Sequence, residues 1–200
     1  MAEQFLFRGC DKLYYFPVTE TVTDGVAKIT FGTPKQIAAV KEVGVTTTSA
    51  SAAHFGDNKA LVVVNSEGAD EITFSVFGIA PDVLADLTGK TFDEEKGLFI
   101  NNERTFSYLG CAWREKLTTG KYRYRVAYKG TFGVPASTVA TEDDGTEANG
   151  QELTFTSIMT EVVFADGKSS KGYFQDTTYV EIDADTFFSA IKTQDEITVA

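Results

Sequence analysis

The segment KYRYRVAYKG, residues 121 to 130, combines side chains that could bind nucleic acid. Its cations alternate with aromatic or apolar residues and are Lys121, Arg123, Arg125 and Lys129. Proteins that bind single-stranded nucleic acid use such mixtures, because rings stack on bases while cations contact phosphates. In a β-strand, however, neighbouring side chains point to opposite faces, so the cations and the rings would not share one binding surface. The pattern favours rings that face the core and cations that face outward.

The distribution of charge over the chain suggests a different partner. The formal net charge is −11, yet the stretch from Arg104 to Lys129 contains seven basic residues and one acidic residue, a local charge of +6. The rest of the chain therefore carries a net charge of −17. A strongly acidic protein is poorly suited to gripping duplex DNA, since that grip comes mainly from cations that replace counterions on phosphates. Segregated charge can instead hold the basic surface of one copy against the acidic surface of another. Self-association is therefore the leading hypothesis.

Residues that could support catalysis or bind metal are few. His54 is the only histidine, and a hydrolytic triad would need a serine from elsewhere, so we expect a loop or interface histidine. Cys10 and Cys111 lack the paired spacing of zinc or redox sites and are predicted to be reduced thiols. The acidic clusters at 93–95 and 142–144 lack the ligand spacing of an EF-hand loop and are predicted to be solvated. No P-loop, dinucleotide-binding glycine fingerprint or nucleophile elbow occurs, so the sequence predicts neither an enzyme nor a bound cofactor or metal.

The elements that must position these residues are mainly strands. Short alternating runs separated by turn residues predict eight or nine of them. They fall at residues 12–18, 26–31, 35–53, 59–64, 71–77, 104–116, 121–129, 153–164 and 173–182. In the run from 153 to 164 the apolar positions change from odd to even near Ser157, which predicts a bulge at that point.

Two short helices are predicted to pack on the sheets. IAPDVLADLTGK places Pro81 in the first turn and Gly89 at the C-terminal cap. DADTFFSAIK, residues 183 to 192, offers Asp183 or Asp185 as N-cap and has apolar residues at helical spacing.

Two hundred residues suit one domain. No apolar run reaches the length of a spanning helix and the start lacks signal-peptide features, so we expect a protein used without secretion.

Four segments in a fixed order resemble the major tail tube proteins of long-tailed, non-contractile bacteriophages. They are GCDKLYYFPV, GIAPDVLADLTGK, GKYRYRVAYKGTFGVP and the acidic loop 141–152 that leads into LTFTSI. The similarity runs from about Gly9 to Phe188, and KYRY followed by YKGTFGVP is its most specific part. The resemblance implies one domain, 1–200, with a mainly β fold: a two-sheet antiparallel β-sandwich flanked by a short α-helix. It also implies an N-terminal arm (about 1–11), a long inter-strand loop (about 54–67) and a C-terminal helix or arm (about 183–200).

The function implied by this resemblance is structural. Copies would close into hexameric rings that stack into a hollow tube around the tape-measure protein, and one sheet of each copy would line the bore. The tube would conduct double-stranded DNA during ejection without binding it specifically. The other implied partners are tail terminator and tail-tip or initiator proteins; no membrane and no cofactor are implied. The implied location is the virion tail, assembled in the host bacterial cytoplasm. A phage-derived particle of the same architecture is the alternative location.

Two groups of residues are predicted to contact other copies. Carried onto this sequence, the long loop includes His54, Phe55, Gly56, Asp57, Asn58 and Lys59, and it would reach an adjacent subunit. The basic strand supplies Lys121, Arg123, Arg125 and Lys129, which are predicted to point toward acidic surface of the same or a neighbouring subunit. The alternative function is a monomeric β-sandwich or barrel that binds nucleic acid through strand 121–129.

Overall fold

Strands dominate the fold, as the sequence predicts. The computed structural model describes residues 6–56, 59–137 and 150–197. The strands in these ranges are β1 (Phe7–Thr23), β2 (Val26–Phe31), β3 (Lys35–Gln36), β4 (Val40–Gly56), β5 (Lys59–Val76), β6 (Thr91–Asp93), β7 (Leu98–Ile100), β8 (Leu109–Leu117), β9 (Tyr122–Phe132), β10 (Ala136–Ser137), β11 (Gln151–Ser157) and β12 (Gly172–Asp176). The helices are α1 (Pro81–Thr88) and α2 (Ala184–Ser189), and a 3-10 turn follows at Gln194–Glu196. The mainly β fold with a short flanking helix is confirmed.

One large antiparallel sheet forms both layers of the predicted sandwich. Its strand order is β2-β1-β8-β9-β11-β5-β4, with β3, β10 and β12 attached to β1, β11 and β9. The sheet curls so that β4 packs near β1 across the interior, and β6 with β7 makes a second, two-stranded sheet. The two layers are therefore halves of one continuous sheet, with β1, β8 and β9 in one half and β11, β5 and β4 in the other.

Hydrophobic side chains fill two regions on opposite faces of strands β1, β8 and β9. Inside the curl, Phe74 meets the edge of Trp113 with ring centroids 5.5 Å apart, and α1 closes this core through Leu87. On the other face, Tyr128 and Phe188 belong to a second core that α2 covers. Burying each such side chain contributes about 1.5–3 kcal/mol, so the two cores are the main source of stability.

Local signals place both helices as predicted. Pro81 occupies the start of α1, and Gly89 ends it in the left-handed conformation with φ of 65°. Asp183 caps α2 by accepting a hydrogen bond from the backbone N–H of Thr186 at 2.8 Å. Asp86 on α1 also accepts a hydrogen bond from the Tyr15 hydroxyl at 2.5 Å and pairs with Lys35 at 2.7 Å. These contacts hold α1 against β1.

The predicted bulge near Ser157 is wrong. Strand β11 ends at Ser157, and the chain then leaves the sheet with the backbone N–H of Ile158 donating to the carbonyl of Lys129 at 2.9 Å. Leu153 packs inside the curl, whereas Phe164 packs into the second core. The apolar pattern changes face because the chain crosses from one core to the other.

Several predicted strand boundaries also differ from the structure. The runs 59–64 and 71–77 are parts of one strand, β5, while the stretch 35–53 divides into β3 and β4. Residues 104–108 form a loop before β8, and the strand predicted at 173–182 ends at Asp176. The acidic loop 141–152 falls mostly outside the described residues.

The segments predicted as terminal arms are packed against the sheet where the structure describes them. Residues 7–11 belong to β1, which pairs with β8, and residues 1–5 lie outside the described part. In the C-terminal segment, Phe188 and Ile191 are buried in the second core, and residues 198–200 lie outside the described part. Any use of these segments between subunits stays a prediction.

Two glycines of the YKGTFGVP segment should respond very differently to substitution. A Cβ on Gly130 would overlap the carbonyl oxygen of Thr156 and lie 2.5 Å from the Phe155 ring, whereas a Cβ on Gly133 would lie 3.6 Å from its nearest neighbour. We expect Gly130→Ala to lower the free energy of unfolding by about 2–3 kcal/mol, because β11 must move away from β9. Gly133→Ala should change it by less than about 0.5 kcal/mol. Urea denaturation of the two variants tests this, and equal midpoints would contradict it.

Candidate subunit interfaces

The outer halves of β4 and β5 form a hairpin that we call the hairpin arm, residues 47–67. The two strands pair from Val40 with Val76 out to Gly56 with Lys59. Beyond Thr47 the described side chains of both strands are exposed on both faces, so this part of the hairpin extends from the curled sheet. Val62, Val63 and Val64 are 56%, 56% and 51% exposed. Three consecutive exposed valines on an extended hairpin are typical of a surface that another chain covers.

The segment predicted as a long loop, about 54–67, is paired strand instead. His54 is paired with Val62, Phe55 with Ala60 and Gly56 with Lys59, and register shifts occur between Thr47 and Ser49 and between His54 and Phe55. Asp57 and Asn58, at the predicted tip, lie outside the described residues. The sequence suggested a loop because strands that are exposed on both faces lack the alternation of a half-buried strand. Contact of His54, Phe55, Gly56, Asp57, Asn58 and Lys59 with a neighbour stays a prediction.

Strands β4, β5 and β11 share a polar surface that we call the acidic face. Their pairing aligns three rows, which are Glu42–Ser75–Glu152, Gly44–Thr73–Thr154 and Thr46–Glu71–Thr156. The alternate positions on the same strands, such as Phe74 and Leu153, are fully buried inside the curl. Three of the nine positions are glutamates and none is basic. Lys41 lies at the end of this face, in a register shift of β4, with its ammonium over the Phe77 ring.

The basic strand is β9, and its ring-bearing face is buried as predicted. Tyr124, Val126 and Tyr128 are at most 3% exposed and belong to the second core. Burial raises the pKa of Tyr128, whose hydroxyl also accepts a hydrogen bond from the backbone N–H of Gln194 at 2.7 Å. The cations stand on the opposite face of β9, and the rings therefore cannot stack on bases beside them.

Two arginines of this strand pair with acids of the same chain. Arg123 lies 3.1 Å from Asp176 on β12, and Arg125 lies 2.8 Å from Glu115 on β8. Burial by itself would raise the pKa of Asp176, but hydrogen bonds from Thr178 and Arg123 outweigh it and hold this pKa below its usual value. The carboxylate stays ionised and keeps its partner at neutral pH.

Lys129 forms the most buried ion pair of the strand. Its ammonium contacts the Glu20 carboxylate of β1, and the two side chains are 9% and 8% exposed. The second oxygen of Glu20 accepts a hydrogen bond from the backbone N–H of Glu161 at 2.6 Å, while the Lys129 ammonium lies 4.6 Å from the Tyr108 ring centroid. This cluster joins β1, β9 and the segment after β11.

Three of the four predicted interface cations thus pair with acidic residues of their own chain. Arg123, Arg125 and Lys129 could contact phosphates only after separating from Asp176, Glu115 and Glu20, which argues against a nucleic-acid-binding module on strand 121–129. Lys121 differs, because it precedes β9 in the turn after β8 and is exposed. A role of the four cations in subunit contacts stays a prediction.

Arg104 organises the same region although sequence reasoning missed it. Its guanidinium donates hydrogen bonds to the carbonyls of Thr88 at the end of α1 and Phe132 at the end of β9, each at 2.8 Å. The loop 101–108 is thereby tied to both elements. No spacing in the sequence indicates such contacts, since the two acceptors are backbone atoms brought together by the fold.

Other candidate chemistry gains no support from the structure. His54 is exposed on the hairpin arm. Burial raises the pKa of Cys10 and of Cys111, which favours the unreactive thiol form. Within the described ranges, no group of three or more His, Cys, Asp or Glu side chains could hold a metal ion. The same ranges contain no helix of the length and apolar character needed to cross a membrane.

Comparison with known protein families finds a match over most of the chain. The model of a family described as phage tail tube protein matches residues 19–191 of the chain. The matched region begins within β1 and ends just after α2, so it includes the acidic face, the hairpin arm and the basic strand. No curated protein matches this chain.

Proposed function

Because the chain belongs to the phage tail tube protein family, we propose that its copies close into hexameric rings, which stack around a tape-measure protein and later conduct DNA. Family membership makes the protein a structural component of the virion tail that assembles into a multimeric tube. Ring number, the enclosed tape-measure protein and DNA conduction belong to the proposal. So do terminator and initiator proteins at the tube ends and assembly in the host cytoplasm.

The acidic face is the observation that carries the proposal of DNA conduction. We assign β4, β5 and β11 to the wall of the bore, with Glu42, Glu71 and Glu152 directed at the lumen. A ring of six copies would repeat these carboxylates six times around the passage. Negative charge repels phosphate, whereas a basic lining would retain duplex DNA through counterion release. Short Ser and Thr side chains between the glutamates would leave the wall smooth.

The edges of the large sheet supply the contact between neighbours in a ring. Strands β2 and β4 are the two ends of its strand order, and an open edge presents backbone donors and acceptors that have no partner strand in a lone subunit. Pairing such an edge with the next copy closes a ring when the rotation between copies is right. The hairpin arm, which extends β4 and β5 beyond the curled sheet, would then lie against an adjacent subunit.

Electron cryomicroscopy of the concentrated protein, alone and with a tail initiator complex, tests the proposal. We expect hollow tubes with six subunits per ring, in which β4, β5 and β11 form the inner wall. Protein that stays monomeric beside its initiator would overturn the tube proposal. Tubes that carry Glu42, Glu71 and Glu152 on the outside would overturn the assignment of the bore.

Reversing charge on the acidic face should make the tube retain DNA. Tubes of a Glu71→Lys/Glu152→Lys variant are expected to bind short duplex DNA roughly tenfold more tightly than wild-type tubes at low salt, and this gain should disappear as salt rises. Glu161→Lys/Glu181→Lys makes the same change of charge at two other exposed positions and serves as the control. Co-sedimentation of labelled duplex over a salt series measures the effect, and equal binding by the two variants would contradict it.

A further inference from the structure

One end of the β8–β9 hairpin carries exposed cations around exposed apolar side chains, and we call it the basic end. Its exposed cations are Arg8, Lys116 and Lys121, next to the turn at 118–121. Leu6, Phe7 and Phe174 at the same end are 74%, 53% and 58% exposed. An apolar centre inside a charged rim is the usual composition of a protein–protein interface.

The apolar side chains of the basic end are held in place although they are exposed. The backbone N–H of Leu6 donates to the Thr118 hydroxyl at 3.1 Å, and the backbone N–H of Thr118 donates to the Leu6 carbonyl at 2.9 Å. The Arg123 guanidinium lies 5.1 Å from the Phe7 ring centroid and 4.6 Å from that of Phe174. Rings fixed in this way lose little freedom when a partner covers them, as binding anchors require.

The opposite end of β9, which we call the acidic end, carries exposed carboxylates around a second apolar group. Glu94 and Glu95 are exposed in the turn between β6 and β7, Glu103 is exposed in the loop 101–108 that follows β7, and Leu98, Ile100 and Phe106 are 50%, 40% and 74% exposed. Contacts within the chain hold the nearby bases: Lys96 pairs with Asp93, Lys90 donates to Asn101, and Arg104 binds two carbonyls and lies over the Phe106 ring. Lys96 is itself exposed, but Asp93 offsets its charge, so Glu94 and Glu95 give this turn its net negative charge.

The two ends are well separated. Arg104 ties the loop 101–108 to the carbonyl of Phe132, the last residue of β9, whereas Lys121 immediately precedes the first residue of that strand. A strand of eleven residues is roughly 33 Å long, so the ends cannot contact each other within one chain. Each is available to a second molecule.

We infer that the basic end of one copy binds the acidic end of the next. Apolar side chains meet at the centre, and Lys116 and Lys121 face Glu94 and Glu95. Because the two surfaces differ and lie at opposite ends, the contact is head to tail and can be repeated from copy to copy. This inference rests on the proposed function in assuming that the partner is another copy of the chain.

Charge exchange between the two ends tests the inference. Lys116→Glu/Lys121→Glu and Glu94→Lys/Glu95→Lys each place like charges in the contact, so each is expected to raise the protein concentration needed for polymer formation by roughly tenfold or more. The variant with all four substitutions keeps the wild-type net charge and makes the ends complementary again, so its polymers should return. Sedimentation and electron microscopy measure the polymers, and circular dichroism verifies folding.

A matched control and the outcomes separate this inference from the proposed function. Lys168→Glu/Lys192→Glu changes the net charge as much as the basic-end variant does, at exposed positions outside both ends, and should assemble like the wild type. Normal assembly of both two-substitution end variants would overturn the inference and leave the proposed function intact. So would a four-substitution variant that assembles no better than either of them. Wild-type protein that stays monomeric even beside its tail initiator complex would overturn both.

Discussion

Replacing the hairpin arm with a short turn is expected to abolish tube formation while the subunit still folds. In this variant Asn-Gly takes the place of residues 48–69, so that Thr47 and Asp70, which are paired in the structure, flank a two-residue turn. The buried pairs of β4, β5 and β11 are retained, and so is the ion pair of Asp70 with Lys171 at 2.7 Å. We expect the free energy of unfolding to change by less than about 1 kcal/mol, because the removed side chains that the structure describes are exposed, apart from the half-buried Ala69.

A milder variant separates the contribution of the valines from that of the arm as a whole. Changing Val62, Val63 and Val64 to Thr keeps the hairpin and its β-propensity but removes apolar surface that is about half exposed. It should weaken assembly without abolishing it. Negative-stain microscopy and urea denaturation of both variants give the two readouts. Normal tubes from the shortened chain would remove the arm from the interface, and a shortened chain that cannot fold would show that the arm belongs to the subunit core.

Features governed by nearby residues could be predicted from the sequence. Pro81 and Gly89 mark the two ends of α1, and Asp183 marks the start of α2, because each acts on backbone groups within a few positions. The alternation of strand β5 correctly placed Phe74 in the core. The same period of two correctly predicted that the tyrosines of β9 face the core, but its prediction of outward-facing cations is wrong for Lys129, which is buried against Glu20.

Features that depend on distant residues could not be predicted in this way. Lys129 and Glu20 are 109 positions apart, so nothing in the local pattern indicates that the cation has a partner in its own chain. The acidic face is equally hidden, because Glu42, Glu71 and Glu152 meet only through the register of three strands. The prediction of a bulge near Ser157 was wrong for a related reason. It treated residues 153–164 as one strand, whereas β11 ends at Ser157 and the chain then packs into the second core.

Two lysines of the predicted interface are expected to behave differently when their charge is removed. Lys129→Met should lower the free energy of unfolding by about 3 kcal/mol, because it leaves the Glu20 carboxylate buried without its counter-ion. Lys121→Met should change it by less than about 0.5 kcal/mol, because Lys121 is exposed in a turn. If Lys121 contacts the next copy, Lys121→Met should impair tube assembly more than Lys129→Met does. Urea denaturation measures stability, and sedimentation measures assembly.

A double substitution identifies the cause of the loss at Lys129. Glu20→Gln added to Lys129→Met removes the uncompensated charge while an amide oxygen can still accept the hydrogen bond from the backbone N–H of Glu161. We therefore expect the double variant to be more stable than Lys129→Met alone. Equal instability of the two variants would mean that the contact of the Lys129 ammonium with the Tyr108 ring, and not its pairing with Glu20, is what the fold requires. A stable Lys129→Met that fails to assemble would instead place this lysine at the subunit contact.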